Sequence, residues 1–291
     1  MIPPTAGDPR DRLFIGLQYL LPKRLLSRLA GSLAQQRLGW LSTAMIRSFL
    51  RHYRVDLAEA EHRDPRDYQS FNAFFTRRLR PGVRPVEAAP AAVVSPVDGY
   101  LSQSGRLAGD TVLQAKGISY SATELLGGDA DLAARFADGE FATLYLAPHN
   151  YHRVHMPLAG TLRCARFIPG DLFSVNAATA AAVPGLFARN ERIACIFETA
   201  AGPMAVVLVG ALFVGSMSLA WEDGGRPLRA AGVCDLPTRD PAVALDRGAL
   251  LGWFNMGSTV VLLFGPGGPR CVPGLVPGGS VRVGERIASL P

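Results

Sequence analysis

The chain has 291 residues, 48% apolar and 19% charged, the balance of a globular protein able to bury a core in one large domain or two ordinary ones. Its net charge of +6 is uneven, because residues 1–87 hold 15 Lys+Arg against 8 Asp+Glu and the remainder 15 against 16. Cys164, Cys195, Cys234 and Cys271 form no C-x-x-C pair, which argues against a zinc ribbon or a disulfide framework and suits a reducing cytoplasm.

The start, Met1-Ile2-Pro3-Pro4 followed by Asp8 and Asp11, lacks the basic region and long apolar core of a signal peptide. Leu13–Leu21 is apolar on nearly all sides and stops at Pro22. Too short to cross a bilayer, it suits either an interfacial position or packing on the body. Leu25, Leu26, Leu29 and Leu33 share a face at helical spacing, as do Ile46, Phe49, Leu50 and Tyr53. Phe71, Phe74 and Phe75 predict a helix between Asp67 and Arg80, with Arg77, Arg78 and Arg80 at its C-terminus and Pro81-Gly82 as its stop. A basic helical third points to an anionic partner. Its aromatic residues (Phe14, Tyr19, Trp40, Phe49, Tyr53) sit among leucines and make no stacking platform. That favours a phospholipid surface over nucleic acid.

After the Pro- and Ala-rich stretch 81–92 the pattern turns to short β-type runs separated by Gly, Pro and Asp. Phe141–Leu146, Gly160–Phe167, Ile193–Thr199, Met204–Val209 and Val260–Phe264 are the clearest. Short helices are expected at Thr123–Leu126 and Ala130–Phe136, and the glycine spacing of 277–287 is hairpin-like. Thr199–Trp221 is uncharged up to Trp221 and long enough for a bilayer, but its Gly202, Pro203, Gly210, Gly215 and valines read as two buried strands. The expected fold is α+β: amphipathic helices over 1–87, then a mostly antiparallel β domain over 88–291.

Three of the five histidines fall in His149-Asn150-Tyr151-His152-Arg153-Val154-His155. Neither a strand nor a helix would gather all three, and no carboxylate or cysteine follows at ligand spacing, so no metal site is expected. An acid-base reading asks for less: one histidine, an orienting carboxylate and a hydroxyl. Asp98 in Pro96-Val97-Asp98-Gly99 is either that carboxylate or an ordinary turn aspartate. Ser258 in Gly257-Ser258-Thr259 is either the hydroxyl, activated by a base, or a turn residue entering a strand.

Read together, the segments resemble the bacterial, membrane-associated phosphatidylserine decarboxylases, pyruvoyl enzymes made as proenzymes. The resemblance runs through Leu21-Pro22-Lys23, Phe71-Asn72-Ala73-Phe74-Phe75, Ser95-Pro96-Val97-Asp98-Gly99, and Leu186-Phe187-Ala188-Arg189-Asn190-Glu191-Arg192. Its most specific strings are Tyr151-His152-Arg153-Val154-His155-Met156-Pro157 and Pro169-Gly170-Asp171-Leu172-Phe173-Ser174-Val175-Asn176, followed by Gly257-Ser258-Thr259-Val260.

The resemblance implies a self-cleavage triad of Asp98, His155 and Ser258, with His152 serving decarboxylation as proton donor. It implies cutting between Gly257 and Ser258 into a β chain (1–257) and an α chain (258–291). Ser258 would become a covalent pyruvoyl group that forms a Schiff base with phosphatidylserine and releases phosphatidylethanolamine. The implied setting is the cytoplasmic side of the cell membrane, as a peripheral protein on an anionic surface, with homo-oligomerisation left open. This chain departs from the family in having Trp253 where Arg is frequent and Asn255-Met256 where a basic residue and Leu are frequent. Ala249-Leu250 also replaces acidic residues. Two other readings stand beside it: a pyruvoyl-dependent decarboxylase of a soluble amino acid, and a non-catalytic membrane-binding protein.

Overall fold

A computed structural model defines residues 9–213, 216–222, 232–237, 242–255 and 258–291, with Ser258 as backbone alone. The Met1–Pro4 start and the Met256–Gly257 pair lie outside these residues. The apolar runs decide the architecture. Ile193–Phe197, Met204–Val209 and Val260–Leu263 are wholly buried without alternating polar residues, the mark of strands covered on both faces. Their side chains divide by parity. Val206, Leu208, Val260 and Leu262 enter one apolar cluster, and Val207, Val209, Val261 and Leu263 enter another, as the two-residue period of a strand requires.

These strands form the middle of a nine-stranded antiparallel sheet. Its order is Cys234–Asp235, Gly160–Ile168, Arg192–Thr199, Gly202–Val209, Ser258–Phe264, Glu140–Leu146, Gly99–Arg106 and Ser280–Val281, with Ala244–Leu245 also paired to Gly160–Ile168. The uncharged stretch from Thr199 contains two strands, Gly202–Val209 and Met217–Leu219. No described helix is long and apolar enough to cross a membrane. A smaller antiparallel sheet sets Leu250–Phe254 between Met217–Leu219 and Arg153–His155.

Helices gather at the N-terminus: α1 (Pro9–Leu20), α2 (Lys23–Gln35), α3 (Trp40–Tyr53) and α4 (Phe71–Phe75). The two-faced pattern of α2 is mounted with its polar side inward, and α1 turns both Gln18 and the half-buried Ile15 toward the body. Gln18 is buried, takes a 2.7 Å hydrogen bond from the Ser174 N–H and reaches Thr179. Ser27 is buried and accepts from the Phe213 N–H at 3.0 Å. Arg24 donates to the Gly170 carbonyl at 3.0 Å. Most of the leucines point outward, with Leu20 83%, Leu25 56% and Leu29 60% exposed, and Trp40 at the start of α3 is 81% exposed.

Two expectations require correction. The helix expected between Asp67 and Arg80 is only the five residues of α4, capped by the Ser70 hydroxyl on the Ala73 N–H at 3.1 Å. It stops at Thr76, before the arginines, because Arg77 turns into the body and donates to the His149 and Asn150 carbonyls. The glycine-spaced C-terminus is not a hairpin: Ser280–Val281 pairs with Gly99–Arg106, whereas Arg286–Ser289 pairs with Ala92–Val94. The segment between them crosses over Asp98, and its Val283 N–H donates to that carboxylate at 2.9 Å.

Candidate active site

The site is built around residues 145–155. Ser258 opens its strand opposite Leu146. From there the chain turns through Asn150, whose side chain accepts from the Ala147 N–H at 2.8 Å. It then enters the strand Arg153–His155, whose partner Leu250–Phe254 runs back toward Ser258. On the other side Tyr100 pairs with Tyr145, which sets Asp98 at the end of the neighbouring strand. A Cβ on Gly99 would stand 2.3 Å from the Tyr145 carbonyl oxygen, so the close passage there needs glycine. The structure therefore brings Asp98, His152, His155 and the Ser258 backbone around one segment. Gly257, the other half of the expected cleavage site, lies outside the described residues, as does the Ser258 side chain.

His155 is held at both ring nitrogens. Nδ1 lies 2.8 Å from the Gly248 carbonyl, which only accepts, so the proton is on Nδ1. Nε2 is then the bare nitrogen and takes the Tyr151 hydroxyl at 3.1 Å. Burial pushes the ring below its ordinary pKa, against the Gly248 bond and the weaker pull of Asp98. A neutral imidazole with a bare Nε2 is a general base.

The carboxylate does not hydrogen-bond this histidine. Asp98 Oδ1 takes Arg84 Nε and the Val283 N–H, both at 2.9 Å, while Oδ2 takes an Arg84 terminal nitrogen at 2.5 Å. Two-pronged guanidinium pairing fills the carboxylate, and both side chains are nearly buried. Arg84 also pairs with Glu59 at 2.8 Å, and its pKa is raised by these partners. Asp98 acts on His155 through space, and the Gly248 carbonyl orients the ring.

His152 has no exposed surface. Its ring stacks on Phe75 of α4, centroids 4.0 Å apart, and Nε2 lies 3.3 Å from the Pro148 carbonyl. Burial first, and then Arg77, lower its pKa to about 3, so the ring is neutral at ordinary pH. Its buried Nδ1 has no partner among the described residues. His149, more open, is also lowered by burial and Arg77. Phe71, Phe74 and Phe75 thus serve as more than a helix face: the third of them walls the site.

Asn255 was legible only as a departure. It is buried, and its amide donates to the Ser216 and Ser218 hydroxyls at 3.1 Å each. Asn72 of α4 donates to its carbonyl oxygen at 3.0 Å. Helix α4 is thereby tied to the side chain of Asn255, three residues before Ser258. Arg84, Gly248 and the two serines carry no motif that would have marked them.

Comparisons with known proteins give the family to which the chain is similar. Residues 71–289 match the family model described as phosphatidylserine decarboxylase, and residues 13–54 match one described as PSD. A phosphatidylserine decarboxylase proenzyme of Delftia acidovorans is 52% identical over 279 residues, 96% of this chain and 98% of the relative. Those of Ectopseudomonas mendocina (50% over 284 residues, 96% and 99%) and Alcanivorax borkumensis (49% over 281 residues, 96% and 97%) are similar over the same extent.

Proposed function

The chain belongs to the phosphatidylserine decarboxylase family and removes the serine carboxylate of phosphatidylserine; we propose that it does so with a pyruvoyl group cut from its own Gly257–Ser258 bond. The geometry that supports this reading is the neutral His155, its Nε2 without a proton, on the strand whose partner Leu250–Phe254 runs on toward Ser258. In maturation His155 Nε2 takes the Ser258 hydroxyl proton, and the oxygen attacks the Gly257 carbonyl carbon. The acyl group moves from nitrogen to oxygen and frees the amine. Loss of the Cα proton then expels the Gly257 carboxylate, and water replaces the nitrogen, which leaves as ammonia. Asp98 steadies the transient imidazolium by opposite charge, and Gly248 fixes which nitrogen is the base. The outcome is a chain of residues 1–257 and a chain of 258–291 with a ketone at its start.

The surroundings fit such a group. Thr259 Oγ1 and His152 Nδ1 are buried polar atoms without partners among the described residues, and buried polar atoms are normally satisfied. The pyruvoyl group supplies an electrophilic ketone that takes the substrate amine and draws electrons as carbon dioxide leaves. His152 handles the proton. A substrate carboxylate at Nδ1 stabilises the charged ring, and its departure as carbon dioxide removes that stabilisation, so the ring gives its proton to the carbon left behind.

Residues 1–87 carry the membrane-associating helices and 88–291 the reacting residues, with Phe75 and Arg84 of the first part reaching the site. Support comes from the outward leucines of α2, flanked by Arg24 and Arg28. Each leucine buried in lipid contributes about 1.5–3 kcal/mol. Leu25, Leu29 and Leu33 replaced together by serine should lower affinity for anionic vesicles at least about 100-fold. Thermal stability should hold, because these side chains are exposed. Undiminished vesicle flotation would remove α2 from the contact.

Asn255→Leu tests the tether to α4. It leaves the Asn72 amide without its partner and takes the donor from Ser216, a loss of about 1–3 kcal/mol. Fragment appearance in a cell-free synthesis time course should slow about tenfold. A wild-type time course would show that this network does not position the cleavage segment. The overall reading is tested by carbon dioxide release from phosphatidylserine in detergent micelles, which should be abolished when the ketone is reduced with borohydride before substrate is added.

A further inference from the structure

We propose that a cavity beside His155 is an anion subsite that takes the phosphodiester of the substrate lipid, an inference that rests on the decarboxylase reading above. The cavity holds about 280 Å³ and is lined by Arg78, Arg80, Arg84 and Arg153 together with Tyr151 and His155. No acidic residue lines it. Arg84 is already neutralised by Asp98 and Glu59. The other three are not: among the described residues no carboxylate forms an ion pair with them.

Arg153 is fixed in place. Its Nε donates to the Thr76 carbonyl at 2.9 Å, and its guanidinium lies 5.2 Å from the Trp253 ring centre. Burial is the first cause that disfavours the Arg153 charge and Arg78 adds to it, while Tyr151 and, less than either neighbour, Glu61 oppose them. Glu61 itself is held by its backbone N–H on the Arg78 carbonyl at 2.9 Å, outside the cavity lining. Guanidinium groups gathered without a carboxylate favour an anion between them.

The rest of the lining says which anion. Val83, Val86 and Leu250 give the cavity apolar walls, which a bare inorganic ion does not use and a glycerol-bearing phosphodiester does. The volume falls just below the roughly 300–1,000 Å³ of pockets for drug-sized ligands, which suits a head group and not a whole lipid. In phosphatidylserine one methylene separates the ester oxygen from the amine-bearing carbon. A phosphate site must therefore adjoin the reacting centre, and His155, the proposed base, lines the cavity. Trp253, a departure from the family's frequent Arg, is the platform on which Arg153 rests.

The test uses full-length Arg78→Gln/Arg80→Gln protein assayed in neutral detergent micelles, where no surface charge can substitute for a subsite. Neither side chain has an internal hydrogen bond among those described, so the pair should self-cleave like wild type on a denaturing gel. KM for phosphatidylserine should rise roughly ten- to thirty-fold with kcat little changed. Arg78→Lys/Arg80→Lys should recover part of the loss. Glycerophosphoserine should inhibit wild type competitively and the Gln pair more weakly by the same factor.

Inorganic phosphate is the second probe. Weaker inhibition by phosphate than by glycerophosphoserine supports a head-group site, whereas equal inhibition makes it a site for free phosphate and overturns the lipid assignment. An unchanged KM in neutral micelles overturns the subsite itself, even if activity on anionic vesicles falls. Absence of decarboxylation in the wild type would instead defeat the reading on which the subsite rests.

Discussion

Ser258→Ala remains one chain of 31.0 kDa on a denaturing gel, while the wild type separates into residues 1–257 and 258–291. The expected loss is complete, because the substitution removes the only atom that can attack the neighbouring carbonyl from within residue 258. His155→Gln should have nearly the same effect. Glutamine can still meet the Gly248 carbonyl and the Tyr151 hydroxyl, but it cannot take a proton at neutral pH, and an unactivated serine is a weak nucleophile. The comparison separates basicity from packing. If the Ser258→Ala chain is cut at the same place, the hydroxyl is not the nucleophile. If His155→Gln matures at the wild-type rate, the base lies elsewhere.

His152→Ala should mature normally and then lose decarboxylation by about 10²–10⁴-fold, the usual worth of a positioned proton-transfer group. Full maturation matters here, since it shows that the lost activity is not lost folding. Turnover at the wild-type rate would remove His152 from the proton path. A second, physical consequence follows from its burial between Phe75 and Pro148. The folded ring has a pKa of about 3, below the unfolded value of about 6.5. The unfolded chain therefore binds a proton that the folded chain refuses between those values. This contribution to stability is fully present above pH 6.5 and is lost as pH falls toward 3, by up to about 5 kcal/mol. His152→Gln should shed that part of the acid dependence, seen as urea midpoints that fall less steeply over the same interval. Equal slopes would mean that His152 is protonated in the fold.

Much of this was legible in the chain and some was not, for physical reasons. The unbroken apolar runs at Met204–Val209 and Val260–Phe264 read as strands buried on both faces, because they are short, rich in valine and bounded by Gly and Pro. The leucine period of α2 gave a face but not its direction. Direction depends on Gln18, Ser27 and Arg24 finding partners more than a hundred residues away. The phenylalanine spacing near Phe71 was read as a longer helix. Local pattern cannot register that Arg77 is drawn off to the carbonyls of residues 149 and 150. The resemblance names Asp98 as a carboxylate of the site. Its partner Arg84 was invisible, since the pair is fixed by Val283 arriving from the far end of the chain. Asn255, a departure by comparison, acquires a reason only when Asn72, Ser216 and Ser218 are brought around it.

The intact mass of the purified protein tests the central claim most directly. The account predicts two species, residues 1–257 ending in a free carboxylate and residues 258–291 beginning with a ketone. Their summed mass should exceed that of the whole chain by one water less one ammonia, and the shorter species should resist aminopeptidase. A single uncut chain, or a shorter species that begins with an unmodified serine amine, would contradict it.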